Sequence, residues 1–251
     1  ARTKHRRFLV EGPQGVREAV RHAPDRVLDV YLTEAAVERH GDIREEAAAA
    51  GLHLHVTSER VMDAMSADAQ GLLAVVATEE ATGSEALAAA LEGARLVAVL
   101  TQAQDPGNAG TIIRAADAAG ADAVVLVRGS VDPTAPKVVR STAGSLFHLP
   151  VVTGVALDDA VTALHNAGLT VLAADGRGDF DLFEAESLLE APSAWLLGNE
   201  AHGLPSEALS RADAVVSIPI YGKAESLNVA AAAAVCLYAS ARAQAQNSGR
   251  S

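Results

Sequence analysis

The stretch that decides the fold is Trp195-Leu196-Leu197-Gly198-Asn199-Glu200, where an apolar run passes directly into a glycine and two polar side chains. A short apolar run bounded by turn-forming residues is typical of a strand buried on both faces, as in a parallel sheet. Ligands of open α/β sheets bind outside the carboxyl ends of such strands. The stretch therefore predicts a buried parallel strand that ends in a functional loop beginning at Gly198.

Outward from this strand, short β-branched runs alternate with alanine-rich helical runs along most of the chain. This alternation predicts an α/β fold with a largely parallel sheet. In the second part of the chain, strands are predicted at 96–100, 123–127, 148–152, 170–174, 194–197 and 214–218. Helices are predicted at 109–119, 136–145, 158–167 and 206–212, followed by a long closing helix at 226–243.

The first part of the chain carries a smaller α/β pattern of its own, with predicted strands at 27–32, 52–56 and 72–77. After it comes the polar run Thr-Glu-Glu-Ala-Thr-Gly-Ser and an alanine-rich turn or helix, a composition typical of a linker. The sequence thus predicts a small domain at 1–78, a linker at 79–93 and a larger domain at 94–247.

The composition limits the class of protein. The 251 residues carry 20 Lys and Arg against 32 Asp and Glu, a net charge of −12, and 49% of them are apolar. An apolar fraction this high excludes a disordered chain and is enough to fill a core. The acidic balance argues against an unselective nucleic-acid coat, and an aromatic content of 3% argues against a platform that stacks bases.

Cysteine usage and hydropathy add further limits. The single cysteine, Cys236, excludes an intrachain disulfide and a multi-cysteine zinc site, and its apolar surroundings are typical of a buried helix. No metal is expected, since His202 has no partner histidine at ligand spacing. A cytoplasmic protein is expected, because no signal peptide is visible and no apolar stretch reaches the roughly 20 residues that span a bilayer.

A second polar loop, Gln104–Arg114, also follows a predicted strand. Its Asp-Pro-Gly makes a turn, and the next helix is expected to begin near Asn108 or Ala109. A capping asparagine and a solvated Arg114 are the plain alternative. The free N–H groups of this helix start could also bind an anion.

A third loop, Ile218–Val229, leaves its strand at a proline and leads into the closing helix with Ser226 and Asn228 in the expected first turn. An ordinary helix cap explains these residue types equally well. Common catalytic motifs such as G-x-S-x-G, the phosphate loop G-x-x-x-x-G-K-[ST] and H-E-x-x-H are absent from the sequence. The nearest substitute for a dinucleotide-binding glycine motif is Asp175-Gly176-Arg177-Gly178.

Taken together, the three loops resemble the three motifs of the SpoU/TrmH family of RNA ribose 2′-O-methyltransferases, in the SPOUT superfamily. The matching strings are Asn108-x-Gly110-x3-Arg114, Leu197-Gly198-Asn199-Glu200-x2-Gly203-Leu204, and Ile218-Pro219-Ile220 with Ser226-Leu227-Asn228. Segment 138–150 and the N-terminal Phe8-Leu9-Val10-Glu11-Gly12 are also similar to the family's. The resemblance therefore covers nearly the whole chain.

The resemblance implies a trefoil-knotted, S-adenosylmethionine-dependent methyltransferase domain at 94–247 and a ribosomal-protein-like α/β domain at 1–78 that binds RNA. It also implies a homodimer with the catalytic site at the subunit interface. The catalytic residues that it implies are Arg114, Asn108, Glu200, Ser226 and Asn228. The cofactor-binding residues expected with them are Ala173, Asp175, Gly176, Leu197, Gly198, Asn199, Ile218, Ile220, Ser226 and Leu227.

Family resemblance assigns Arg114 to activation of the ribose 2′-hydroxyl. Methyl transfer from a sulfonium needs an aligned oxygen nucleophile, and a 2′-hydroxyl is a poor one until its proton is removed or strongly polarised. A guanidinium with a pKa above about 12 resists deprotonation, whereas it binds a phosphate readily through a bidentate fork. Both roles, general base and phosphate ligand, stay open for Arg114.

The expected substrate is structured RNA, 23S ribosomal RNA first and transfer RNA as the alternative. A non-catalytic RNA-binding or ribosome-assembly protein on the same fold is a second hypothesis, against which the intact Arg114, Glu200 and Asn228 argue. A third hypothesis is an unrelated α/β nucleotide-binding enzyme, but the sequence lacks the motifs of such enzymes.

Charge position reconciles an acidic chain with an RNA substrate. Residues 1–26 hold seven basic and three acidic residues, a net +4. Contact with the RNA backbone is expected from this segment, from two arginines further along and from Lys223, and the low aromatic content favours recognition of shape over base stacking. The expected RNA-binding residues are Arg2, Lys4, Arg6, Arg7, Arg114 and Arg140.

Overall fold

The fold is that of a computed structural model, which describes residues 5–79, 81–199 and 203–248. Contacts between residues divide the chain into two units. One comprises 1–80 together with Asp132–His148, and the other comprises Ala81–Val131 together with Leu149–Ser251. Segment 132–148 therefore packs with the N-terminal residues, although its position in the sequence placed it within the predicted domain 94–247.

The elements follow the predicted alternation of strands and helices. The strands are β1 (Arg7–Glu11), β2 (Val27–Thr33), β3 (Leu54–Thr57), β4 (Leu72–Ala77), β5 (Leu96–Leu100), β6 (Ala123–Leu126), β7 (Val151–Val152), β8 (Thr170–Ala174), β9 (Phe180–Asp181), β10 (Ser193–Leu197) and β11 (Ala214–Ser217). The α-helices are α1 (Pro13–His22), α2 (Glu34–Arg39), α3 (Gly41–Ala49), α4 (Glu59–Met65), α5 (Gly83–Ala90), α6 (Pro106–Ala118), α7 (Pro136–Thr142), α8 (Leu157–Asn166), α9 (Glu186–Leu189), α10 (Ser206–Arg211) and α11 (Val229–Ser248).

The first unit is built on a four-stranded sheet in the order β1-β4-β2-β3. Strand β4 runs antiparallel to both of its neighbours, while β3 runs parallel to β2. The apolar sequence of β4 fits this central place, because most of its residues are buried. Helices α1, α3 and α7 contribute Val16, Ala47 and Val139 to the core over one face of the sheet.

The second unit is built on a seven-stranded sheet in the order β7-β6-β5-β10-β8-β11-β9, in which every neighbouring pair is parallel. Strand β10 lies between β5 and β8, and all of its residues are buried. The strand predicted from Trp195-Leu196-Leu197 is thus confirmed, as is the α/β class with a parallel sheet. Parallel order places the carboxyl ends of β5, β8, β10 and β11 along one edge.

Helix α11 packs against α6 and against the central strands β5 and β10. The indole of Trp195, which is fully buried, donates a hydrogen bond of 2.9 Å to Ser240 Oγ on this helix. Cys236 lies on the same helix, and burial raises the pKa of its thiol to about 12. The thiol is therefore protonated at neutral pH and is a core side chain, as its surroundings in the sequence indicated.

The expected linker at 79–93 differs from the structure. Helix α5 occupies most of it, and Leu87 of this helix is buried in the core of the second unit with Leu91. Apolar side chains spaced four residues apart form one face of a helix, which a composition dominated by alanine had obscured. This segment is part of the second unit.

Several element boundaries also differ from the prediction. Helix α6 begins at Pro106 rather than at residue 109, and α7 ends at Thr142 rather than at residue 145. The strand expected at 148–152 is only Val151–Val152, and a 3₁₀ turn at Ser145–Phe147 precedes it by three residues. The closing helix begins at Val229 rather than at residue 226, because Asn228 caps it. Residues 226–228 consequently lie in the loop that precedes the helix.

Strand pairing establishes the order of the strands in both sheets. The trefoil knot implied by the family resemblance stays a prediction. Within the described ranges, none of the helices is both long enough and apolar enough to cross a membrane.

Candidate functional site

A cavity of about 760 Å³ opens at the carboxyl ends of β8, β10 and β11. Two of the three motifs contribute to its lining, with Gly198, Asn199 and Gly203 from the loop after β10 and residues of 218–228 from the loop after β11. Residues 174–176 also line it, whereas no residue of Gln104–Arg114 does. Ten residues were expected to bind the cofactor, and eight of them line the cavity: Asp175, Gly176, Gly198, Asn199, Ile218, Ile220, Ser226 and Leu227. Asn228, expected to be catalytic, also lines it.

The other two expected cofactor residues, Ala173 and Leu197, do not line the cavity. Both lie inside strands and are at most 1% exposed. Both side chains are buried, so the lining residues come from the last positions of the strands and from the loops beyond them. The further lining residues are mostly small or apolar, and of these only Gly203 and Pro219 belong to the motifs: Ala174, Gly203, Val216, Ser217, Pro219, Glu225, Val229 and Ala232.

Gly198 is required by the chain's own backbone. A Cβ atom at this position would lie 2.5 Å from the carbonyl carbon of Gly203 and 2.7 Å from the Leu204 nitrogen. Asn199 and Gly203 close the loop by exchanging two backbone hydrogen bonds of 3.0 and 2.9 Å. The sequence suggested that Gly198 lets a ligand come close to the backbone. In the structure it is the backbone of residues 203–204 that lies close to Gly198. Glu200 lies outside the described residues.

Gln102 is a residue that sequence reasoning missed. It follows β5 with a φ of 55°, in the left-handed region that non-glycine residues rarely adopt. Its backbone carbonyl accepts a hydrogen bond of 3.0 Å from the Asn199 side chain. Because glutamine carries no preference for this conformation, nothing in the sequence marked the position.

Two asparagines that are far apart in the sequence, Asn108 in α6 and Asn228 before α11, meet beside the cavity. Asn228 Nδ2 donates to Asn108 Oδ1 over 3.1 Å, while Asn228 Oδ1 accepts from the Ala230 nitrogen over 2.8 Å and so caps α11. Asn108 lies in the first turn of α6, not at its cap, because Asp105 caps that helix by accepting from the Asn108 nitrogen. Asn228 thus links the starting turns of α6 and α11.

Asp175 supplies a carboxylate to the cavity. The hydrogen bond that Arg177 donates to it, over 3.1 Å, lowers the pKa of the Asp175 carboxyl below its usual range. Its side chain is 9% exposed, while that of Arg177 is 81% exposed. The next glycine, Gly178, passes so close to β11 that a Cβ there would lie 2.7 Å from Val215 O. Asp175 is therefore ionised at neutral pH, in a tightly packed turn.

Arg114 projects from the exposed side of α6 and is not among the residues that line the cavity. It forms no ion pair with any residue in the described part of the chain. The structure therefore brings Asn108 and Asn228 together at the cavity and leaves the Arg114 guanidinium available to a ligand. Ser226 is exposed in the loop before α11.

The expected RNA-binding residues fall into three groups. Arg6 and Arg7 are exposed at the start of β1. Arg140, which belongs to the first unit, pairs instead with Glu11 and with Asp68, the latter at 3.0 Å. Arg2 and Lys4 lie outside the described residues.

Basic residues further along the N-terminal segment are engaged within the first unit. Arg17 pairs with Asp42 and Arg21 with Glu46, which joins α1 to α3. Arg26 pairs in turn with Glu79 at 2.8 Å. Three of the seven basic residues of 1–26 therefore stabilise the fold, and the excess positive charge is concentrated at residues 2–7.

Substitution of Asn228 should separate its two roles. In Asn228→Ala the α11 cap is lost, and the free energy of unfolding in urea should fall by about 1 kcal/mol. Asn228→Asp keeps the capping oxygen and should stay close to wild type in stability, although it cannot donate to Asn108. Equal destabilisation of the two variants would contradict this division.

The acidity of Asp175 should depend on Arg177. In Arg177→Gln the Asp175 pKa should rise, as followed by NMR of the carboxyl carbon. Because the folded pKa is lowered, the stabilising contribution of Asp175 is present above its unfolded pKa of about 3.9 and is lost as the pH falls through the folded value. Arg211→Gln, which removes an arginine paired with Asp158, is the control; an unshifted Asp175 in Arg177→Gln would refute the assignment.

Two family models match the chain. The SpoU rRNA Methylase family matches residues 95–238, which include the cavity and the linked asparagines. A second model, RNA 2′-O ribose methyltransferase substrate binding, matches residues 9–82, most of the first unit.

Similar proteins cover nearly the whole chain. The 23S rRNA (guanosine(2553)-2′-O)-methyltransferase RlmP of Bacillus subtilis is 36% identical over 246 residues, covering 94% of this chain and 89% of that protein. The crystal structure of the SpoU methyltransferase AviRb from Streptomyces viridochromogenes in complex with AdoMet aligns with a TM-score of 0.82 at 30% identity, covering 98% and 93% of the two chains. An AdoMet-bound rRNA methyltransferase from Sinorhizobium meliloti aligns at 0.80 with 30% identity, covering 96% and 89%. With these relatives and the match over residues 95–238, the chain belongs to the SpoU rRNA methylase family.

Proposed function

We propose that this chain methylates a ribose 2′-hydroxyl of 23S ribosomal RNA with S-adenosylmethionine as the methyl donor. The observation that carries the proposal is one cavity lined by residues of the second and third motifs, with the first motif joined to it through the hydrogen bond from Asn228 to Asn108, in a chain of the SpoU family. The relatives support it, since RlmP is a 23S rRNA 2′-O-methyltransferase and the AviRb and Sinorhizobium structures hold AdoMet.

The residues of the cavity fit this cofactor. S-adenosylmethionine carries a cationic sulfonium, whose methyl group is the electrophile of the reaction. The Asp175 and Glu225 carboxylates line the cavity and favour a cation there. Ile218, Leu227 and the backbone beyond Gly198 provide an apolar wall with exposed peptide groups, which suits a flat purine.

Arg114 and the two linked asparagines form the proposed catalytic group. The Arg114 guanidinium, engaged with no described residue, binds the phosphate next to the target ribose and polarises the 2′-hydroxyl. In the alternative role of general base, Arg114 would accept the hydroxyl proton only as the neutral guanidine, a form that this group resists. Asn108 and Asn228 hold the starts of α6 and α11 in a fixed relation, so that the helix carrying Arg114 keeps its position. Ser226 and Glu200 complete the expected set.

The remaining assignments rest on the same reasoning. Residues 1–78 are the proposed RNA-binding domain and 94–247 the proposed methyltransferase domain, except that 132–148 packs with the first unit; the two family matches support this division. We also propose a cytoplasmic location, because that is where the proposed substrate, ribosomal RNA, is found.

A homodimer is also part of the proposal. Three aromatic side chains of the second unit, Phe180, Phe183 and Tyr238, are 46%, 58% and 53% exposed. The last two line a groove of about 460 Å³ beside α11. Apolar surface of this kind is typical of an interface, and a second copy of the chain is the expected occupant.

Replacement of Arg114 tests the catalytic assignment. Arg114→Ala should lower transfer of labelled methyl to 23S rRNA by roughly a hundredfold or more, while calorimetry should show unchanged S-adenosylmethionine binding because Arg114 does not line the cavity. Arg114→Lys, which keeps the charge and loses the fork, should fall between.

Arg211→Ala, which removes another arginine of the same unit, should behave as wild type. Full activity in Arg114→Ala would refute the role of Arg114. Label recovered in transfer RNA instead would refute the substrate, and a chain that binds the cofactor but methylates no RNA would refute the activity.

Replacing Arg2, Lys4, Arg6 and Arg7 with Gln should weaken RNA binding and flatten its salt dependence, by about one unit of log–log slope for each phosphate that is no longer bound. A control with the same change in charge replaces Arg39, Arg44, Arg60 and Arg95, which are exposed elsewhere. An unchanged slope in the first variant, measured by filter binding from low to high salt, would refute the N-terminal contact.

Light scattering should give twice the mass of the chain for the wild type. Charged replacements in the groove, Phe183→Glu with Tyr238→Glu, should yield monomers, because a buried unpaired carboxylate is strongly unfavourable. Val56→Glu alters an apolar residue of the first unit that is 61% exposed, and should remain dimeric. A wild-type monomer would overturn the dimer, and a dimeric groove variant would overturn the choice of surface.

A further inference from the structure

We propose that the first unit carries a binding site for a divalent transition-metal ion, formed by Glu18, His22 and His148. Each of the three offers one ligand atom, and these atoms all lie within 4.8 Å of one another. The site is independent of the proposed methylation, since none of the three residues lines the cavity or belongs to its loops.

One carboxylate oxygen is the centre of this cluster. Glu18 Oε2 lies 2.9 Å from His148 Nε2 and 3.3 Å from His22 Nε2. The two imidazole rings meet edge to face, with their centroids 4.5 Å apart and their planes at 68°. Both rings thus direct a nitrogen to the same point beside the carboxylate.

The fold assembles the cluster from two separate places in the sequence. Glu18 and His22 are four residues apart on α1, a spacing that puts them on one face of a helix. His148 comes 130 residues after Glu18, directly after the 3₁₀ turn at 145–147. The sequence argued against a metal because it considered only histidines at local ligand spacing, and this set is not local.

Packing holds the carboxylate in place before any ion arrives. The Glu18 side chain is only 14% exposed. Gly144, which has a φ of 102°, leaves room for it, since a Cβ there would overlap the Cγ and Cβ atoms of Glu18. The histidine side chains are 48% and 26% exposed, so an ion and a water molecule can reach the ring nitrogens.

Two imidazoles and one carboxylate are a ligand set for zinc and its neighbours rather than for magnesium or calcium, which prefer oxygen ligands only. A tetrahedral zinc ion with bonds of about 2.0–2.1 Å keeps its ligand atoms about 3.3 Å apart and takes water in the fourth position. The separations of 2.9 and 3.3 Å from Glu18 Oε2 to the two histidine nitrogens are close to that edge, and all three ligand atoms lie within 4.8 Å of one another.

A bound ion would tie α1 to the end of segment 132–148. Both belong to the first unit, and the ion would add a tether to the contact that Glu18 already makes with His148. Binding to the folded form alone raises stability, so zinc should raise the melting temperature of the full chain.

Titration of the chelator-treated full chain with zinc chloride tests the site. Calorimetry should give one ion per chain, and His22→Gln and His148→Gln should each weaken binding roughly tenfold or more. His165→Gln is the matched control, because His165 also pairs with a carboxylate, that of Asp213, but forms no cluster with a second histidine among the residues that the structure describes. It should bind zinc as the wild type does.

A second measurement needs no variant. Ring-nitrogen NMR of the wild type should shift the His22 and His148 signals on addition of one equivalent of zinc and leave that of His165 in place. The proposal would be overturned if zinc did not bind stoichiometrically, if the His22 and His148 variants bound zinc as tightly as the wild type, or if only other histidines shifted. The three residues would then form a hydrogen-bonded cluster without metal.

Discussion

The position of β10 between β5 and β8 is the constraint on which the rest of the second unit depends. Parallel pairing on both sides fixes the direction of every strand around it, so the loops that follow β8, β10 and β11 must all leave from one edge. At that edge the loop after β10 turns back so tightly that only glycine fits at position 198. The cavity is what remains between these loops. Its walls are accordingly small side chains and backbone, with few charged groups.

The hydrogen bond between Asn228 and Asn108 is a second constraint at this edge of the sheet, after the tight turn at Gly198. It joins residues 120 apart, and the other end of the Asn228 amide caps α11. Two helix starts are thereby held at one place, each with the partial positive charge of a helix N-terminus. The acidic side chains Asp175 and Glu225 lie in the cavity next to this region. Opposite charges are therefore separated within one site, an arrangement that suits a cationic cofactor on one side and a phosphate on the other.

Much of the architecture follows from local pattern. The alternation of apolar strands and alanine-rich helices predicted the parallel sheet, and the motif loops predicted eight of the ten cofactor positions as cavity residues. Ala173 and Leu197, the other two, are buried in strands and do not line the cavity, because a motif string does not reveal where a strand ends. The segment holding the helix at 83–90 was predicted as a linker with an alanine-rich turn or helix, since Leu87 is the only leucine of that helix and gives a faint amphipathic pattern. Gln102, Gly178 and the Glu18–His22–His148 cluster depend on contacts between distant segments, which no single-sequence pattern encodes.

Trp195, the only tryptophan of the chain, is fully buried in the central strand two residues before Leu197, and its indole is anchored to Ser240. The emission of this protein, excited at wavelengths where tyrosine does not absorb, therefore comes from a single fluorophore in one known environment. It originates at the strand that ends in the cavity, and it is shielded from water-borne quenchers as long as the sheet is intact. Trp195 fluorescence therefore reports on whether the central strand at the base of the cavity is folded.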